Sequence, residues 1–174
     1  MGITRPEFGI TMISSKLVAF TSVTSALTVL LSFVTIPFLM GVRIHFFQLG
    51  IMVAGVVGGP VSGLVTGALG GLYVASLRSD PTIVVGNGLL GLFTGLLARK
   101  VRPALAAIGA WGLVQAPWIY LTGTFVFQVP PTLMQLVLVL LTIEDTVCAM
   151  LADVLSNYFH LRDLVIGRQQ VAQG

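Results

Sequence analysis

The chain has 174 residues, of which 56% are hydrophobic and only 9% charged; its mean hydropathy is +1.00 and its formal net charge +3. A soluble domain carries about 25% charged residues, so this composition excludes an ordinary soluble enzyme and predicts an all-α integral protein of the cell membrane. The length suits one membrane domain over 1–174 with almost nothing outside the bilayer, no nucleotide-binding domain and no G-x-x-x-x-G-K-[ST] run.

Six apolar segments follow along the chain, where a spanning helix needs about 20 mainly apolar residues, somewhat fewer or more with tilt. The first covers about 12–36 and should end at Pro37, which disfavours helix at the residue before it. The second, about 45–57, is short and closes at Gly58-Gly59. The third, about 60–77, opens on Pro60, whose missing N–H is not needed at a first helical position. The fourth and fifth cover about 82–98 and 104–122, and Val129-Pro130-Pro131 breaks the chain before the sixth, about 133–160.

Basic residues in short loops set the orientation. With the N-terminus inside, Arg5, Lys16, Arg99, Lys100, Arg102, Arg162 and Arg168 are cytoplasmic and only Arg43 and Arg78 external, a split of seven to two. The expectation is a six-helix bundle with both termini in the cytoplasm. The basic residues thus orient the chain and do not mark a nucleic-acid partner. The single cysteine, Cys148, lies within an apolar helix and builds no disulfide framework. His45 and His160 are too far apart for metal-ligand spacing, so no metal and no cofactor are expected.

Two stripes of small residues stand out. Gly59, Gly63, Gly67 and Gly71 recur every fourth residue, and Asn87, Gly91 and Gly95 repeat the spacing in the next span. Such seams let neighbouring backbones approach closely, and packing within the bundle is their expected role. Ser15, Ala19, Ser22 and Ala26 form a continuous face of the first helix, suited either to packing inside the bundle or to docking another membrane protein.

The acidic pair Glu144-Asp145 sits deep in the sixth segment, about 17 Å from its outer end at 1.5 Å per residue. A charge at bilayer depth costs roughly 2.5–3.5 kcal/mol on insertion scales, and such residues usually face the protein interior and serve function. Adjacent residues point about 100° apart, so the two cannot share a face. One reading has Asp145 hydrogen-bonding within the bundle while Glu144 meets a ligand; the other makes them protonated structural groups.

Further polar and aromatic residues gather at the external connections. Arg43, His45, Phe47 and Gln48 lie at the first, Arg78 and Asp80 at the second, and Asn87 one or two turns into the fourth segment. Trp111, Gln115, Trp118 and Thr122 form an aromatic-polar stripe on the fifth. Interfacial anchoring is the competing account of the tryptophans. The candidate substrate residues are therefore Arg43, His45, Phe47, Gln48, Arg78, Asn87, Trp111, Gln115, Trp118, Glu144 and Asp145.

The block Arg43-Ile44-His45-Phe46-Phe47-Gln48-Leu49-Gly50, the turn Ala54-Gly55-Val56-Val57-Gly58-Gly59-Pro60 and the run from Gly63 to Tyr73 resemble the substrate-binding S-components of energy-coupling factor (ECF) vitamin transporters. The fourth segment ends in the basic turn Arg99-Lys100, which continues the likeness. The resemblance implies a subunit that binds a vitamin or similar small organic micronutrient from outside. It also implies no ATPase of its own, and partnership with a transmembrane coupling subunit and two cytoplasmic ATPases. In that family an A-x-x-x-A pattern on the first helix meets the coupling subunit. Ser15-x-x-x-Ala19 and Ser22-x-x-x-Ala26 occupy the matching region, with serine in place of one alanine in each. The chain begins Met1-Gly2-Ile3-Thr4, without the histidine-led extension of the family's nickel and cobalt members, which disfavours a metal-ion substrate. The alternative is a self-sufficient proton-coupled carrier using Glu144 or Asp145. An enzyme is not expected, because no nucleophile–base pair or metal cluster is recognisable.

Overall fold

The computed structural model describes residues 14–37 and 43–166. Arg5, Arg168 and the expected start of the first segment at Met12 lie outside them. Helix α1 spans Ser15–Phe33 and is followed by two short strands, β1 Thr35–Pro37 and β2 Arg43–His45. The strands pair antiparallel, with Thr35 opposite His45 and Pro37 opposite Arg43. Helix α2 runs Phe47–Arg78 with a break at Gly59, α3 is Thr82–Leu97, and α4 begins at Pro103. The α4 span continues to Val126 through α5, Ala116–Leu121, and two five-residue π-helical stretches, Trp111–Gln115 and Thr122–Val126. Helix α6 is Pro131–Tyr158 and α7 is Leu161–Ile166.

Three of these helices, Ser15–Phe33, Phe47–Arg78 and Pro103–Val126, are long and apolar enough to cross a membrane; Thr82–Leu97 is apolar but shorter. The chain is an all-α membrane protein with one small ribbon added. The first segment ends at Phe33, earlier than expected, and the second starts at Phe47, later than expected. The local reason is the run Val34-Thr35-Ile36-Pro37. Its β-branched residues suit a strand, and Pro37 pushes Ile36 out of the helical region, so the chain leaves the helix early and pairs. The fifth span reaches Val126 instead of Thr122, while α6 stops at Tyr158, two residues before the expected end. His160 has a positive φ of 46° and turns the chain into α7.

Gly59 decides the architecture of the centre. Its φ of 84° and ψ of −173° belong to glycine almost alone, and Pro60 restarts the helix immediately after it. A straight helix would hold Gly55 and Gly63 about 12 Å apart. Here a Cβ on Gly63 would lie 2.9 Å from the Gly55 Cα, so the two arms of α2 fold back as a hairpin. Helix α3 then lies against both arms. A Cβ on Gly91 would collide with the Gly63 backbone, and one on Gly67 with the Asn87 carbonyl. The fourfold glycine spacing of the sequence is therefore a backbone-to-backbone seam inside the bundle.

Around the seam, Ile51, Met52, Val57, Leu90, Ala106, Ala107, Ala110 and Cys148 are fully or almost fully buried. Helix α1 adheres to the second arm of α2 through hydroxyls: the Thr21 side chain donates to Ser62 at 2.8 Å, and Ser25 and Thr66 share a hydrogen bond of 3.0 Å. Ser15, Ala19, Ser22 and Ala26 are all exposed on the other side of α1.

The seam can be tested at two glycines. Gly91→Leu must push α3 off the α2 hairpin and should cost roughly 3 kcal/mol, the upper end of overpacking, visible as a large drop in melting temperature of the detergent-solubilised protein. Gly112, with nothing near its missing Cβ, should accept alanine with no loss and a gain of up to about 1 kcal/mol.

Candidate binding cavity

At the end of the bundle that carries the β-ribbon, the helices diverge around a cavity of about 640 Å³. Ligand pockets typically hold roughly 300–1,000 Å³ and are mostly apolar with a few directed polar groups. The wall fits that description. Strand β2 contributes Arg43 and His45, the first arm of α2 Phe47 and Gln48, and the second arm Val74 and Arg78. Helix α3 adds Ile83 and Asn87, the fifth span Gln115, Trp118 and Ile119, and α6 Leu133, Met134, Val137 and Leu141.

Pro117 accounts for the shape of the fifth span. Its ring cannot sit under the carbonyl four residues earlier and it donates no hydrogen bond, and the preceding turn widens into the π-helical stretch Trp111–Gln115. Such bulges re-aim side chains and recur at functional sites. Trp111 and Gln115, both buried, point inward from it. The second π-helical stretch opens where the Thr122 hydroxyl donates to the Trp118 carbonyl at 2.8 Å.

The polar groups form a short network. Gln115 Nε2 donates to Asn87 Oδ1 at 3.2 Å, and Asn87 Nδ2 donates to the Ile83 carbonyl at 2.8 Å. Trp118 Nε1 donates to the Thr82 carbonyl at 3.0 Å, and its ring packs against Gly86, where a Cβ would stand 2.8 Å from the ring Cδ1. Asp80 is engaged locally, accepting from the Thr82 amide at 2.9 Å and the Thr82 hydroxyl at 2.5 Å at the start of α3.

Other polar atoms on the wall stay unmatched. Gln48 Oε1, Gln115 Oε1 and both ring nitrogens of His45 have no hydrogen-bond partner among the described residues. His45, Gln48 and Gln115 are only 6%, 4% and 4% exposed. Burial first, then the nearby positive charges of Arg78 and Arg43, lowers the His45 pKa to about 4. The ring is therefore neutral at pH 7 and offers one donor and one acceptor. An unmatched buried polar group costs about 1–3 kcal/mol, so these atoms leave hydrogen-bonding capacity open on the wall.

Of the eleven residues chosen from sequence, Arg43, His45, Phe47, Gln48, Arg78, Asn87, Gln115 and Trp118 stand in this wall. Trp111, Glu144 and Asp145 do not. Trp111 is sealed between helices, its Nε1 donating to Thr142 Oγ1 at 3.2 Å. Glu144 lies past Leu141, beneath the wall, and its Oε1 accepts the His45 amide N–H at 3.2 Å. Asp145 is 1% exposed and neither of its oxygens has a partner among the described residues. These three stand off the wall because depth along a helix does not say whether the neighbouring helices have already closed. The apolar lining of α6, Leu133 to Leu141, escaped the sequence reading because it looks like any lipid-facing run. Its signal was the four-residue phase from Leu133 through Val137 to Leu141.

The Trp111–Thr142 bond predicts its own mutational signature. Trp111→Phe and Thr142→Val should each lower stability by about 0.5–1.5 kcal/mol, and the double variant should lose little more than either alone. Thermal unfolding of the four proteins in one detergent completes the cycle.

Among known proteins, the family model for the S component of the ECF-type riboflavin transporter matches residues 12–161. No curated protein and no solved structure matches the chain.

Proposed function

The chain belongs to the S components of ECF-type riboflavin transporters, which are membrane-embedded vitamin-transport subunits and not enzymes, and from that premise we propose that its cavity binds riboflavin. The observation that carries this reading is the set of unmatched polar atoms on an otherwise apolar wall. The flavin ring system is planar and largely apolar, with a carbonyl–imide–carbonyl edge, and its ribityl chain bears hydroxyls. A donor N–H or hydroxyl suits Gln48 Oε1 and Gln115 Oε1, while the neutral His45 ring meets either kind of group. Trp118, Phe47 and Phe127 supply aromatic surface for the ring system. Arg43 and Arg78 add donors for carbonyl or hydroxyl oxygens.

The finer architecture belongs to the same proposal. All six long helical segments cross the membrane as a single domain, both termini lie in the cytoplasm, and the cavity opens to the exterior. The basic turn 99–102 lies at the end opposite the β-ribbon, which agrees with the charge bias. The subunit delivers its vitamin through a transmembrane coupling subunit driven by two cytoplasmic ATPases. Ser15, Ala19, Ser22 and Ala26 form the docking face for the coupling subunit. Their exposure supports this, since a docking face must be reachable and small residues let helices approach closely.

Three measurements check the reading. Riboflavin titrated into the purified chain should lose fluorescence with one-to-one stoichiometry, and Gln115→Leu or Trp118→Ala should weaken binding about tenfold or more. Ala19→Leu should abolish ATP-driven uptake by the assembled transporter and leave riboflavin binding by the isolated subunit intact. Reporter fusions after Arg102 and beyond Ile166 should read cytoplasmic. Accumulation by the chain alone in liposomes under a proton gradient would replace the subunit reading with the proton-coupled carrier.

A further inference from the structure

Glu144 is a deeply placed carboxylate that the cavity wall does not use. It is 5% exposed, and its Oε1 accepts the backbone N–H of His45 across 99 positions of sequence. We propose that Glu144 is a positioning residue: it latches strand β2 to helix α6 and thereby sets where Arg43 and His45 stand in the cavity wall.

The ribbon needs such an anchor. It has three residues per strand, and a two-stranded ribbon of any length is marginal by itself. Pro37, opposite Arg43 at its far end, has no N–H to donate across the ladder. Yet β2 carries two wall residues whose side chains must be held to a ligand's dimensions. The latch acts on the residue that matters, because the N–H it holds belongs to His45, whose ring lines the cavity. The Glu144 carboxyl oxygen supplies the acceptor that this N–H would otherwise lack, and leaving a buried donor unmatched costs about 1–3 kcal/mol. The neighbouring carboxylate is not a substitute. Asp145 points about 100° away around α6, and its oxygens have no partner among the described residues.

This assignment rests on the riboflavin reading for its affinity readout but not for its structural one. Glu144→Gln keeps an acceptor oxygen in the same place and removes the ionisable group. Glu144→Met keeps the volume and removes the acceptor, and it guards against a collapse that alanine would invite. In hydrogen–deuterium exchange on the unliganded, detergent-solubilised chain, Glu144→Met should speed exchange of 35–36 and 43–45 while α3 and α6 keep their protection. Glu144→Gln should leave the ribbon protected. In the riboflavin titration, Glu144→Met should weaken binding about tenfold, chiefly through faster release, and Glu144→Gln by no more than about threefold. Equal losses in the two variants would show that the acceptor oxygen is not what holds the ribbon and would overturn the assignment. So would unchanged ribbon exchange in Glu144→Met, or exchange that rises throughout the bundle. If the unmodified chain binds no riboflavin, the functional reading fails and the exchange result still decides the latch.

Discussion

Backbone contact between α3 and the α2 hairpin is the constraint on which the rest of the structure depends. Gly59 reverses the chain, and Gly55, Gly63 and Gly67 leave nothing between the two arms and α3 except main chain. Helix pairs in lipid gain no hydrophobic drive toward one another, so close packing of small residues is the main attraction available. That closeness has a directional consequence. With its backbone against Gly67, Asn87 has one face committed to the seam, and its amide is turned toward Gln115 on the fifth span. Farther along, the Trp118 ring packs against Gly86 and the helices part. The cavity begins where the glycine seam gives way to aromatic and long aliphatic side chains.

Polar groups in the interior divide into two kinds. Thr21 with Ser62, Ser25 with Thr66 and Trp111 with Thr142 are matched pairs that join one helix to another. In hydrocarbon an unmatched polar group costs several kcal/mol, so these pairs are what allow hydroxyls and an indole N–H to be buried at all. The second kind is unmatched among the described residues: His45, Gln48 and Gln115 on the cavity wall, and Thr94, Asp145 and Arg162 away from it. The three on the wall line one shared space.

Much of this was legible in the sequence because the signals were local. Gly59-Pro60 announced the reversal, and the fourfold glycine spacing announced a close seam. Eight wall residues were found because polar groups at the external ends of apolar segments have few other reasons to be there. The misses arose where a residue's environment is made by distant chain. Trp111 and Gln115 share a helix face four residues apart, yet one is sealed against Thr142 and the other reaches the cavity. The sequence of the fifth span alone carries no record of where α6 lies. The β-ribbon was hidden because Val34-Thr35-Ile36 continues the apolar run of α1, and only β-branching before a proline distinguished it. Glu144 stood out for the cost of a carboxyl at bilayer depth, but its partner is a backbone amide, and no side-chain pattern encodes that.

We hold that riboflavin occupies the cavity beside the β-ribbon and satisfies the unmatched atoms of His45, Gln48 and Gln115. A structure of the chain purified with riboflavin tests this most directly. The flavin should lie between Trp118 and α6, with polar atoms within hydrogen-bond distance of Gln115 Oε1 and the His45 ring. A flavin bound elsewhere, or one that leaves those atoms unmatched, would contradict it.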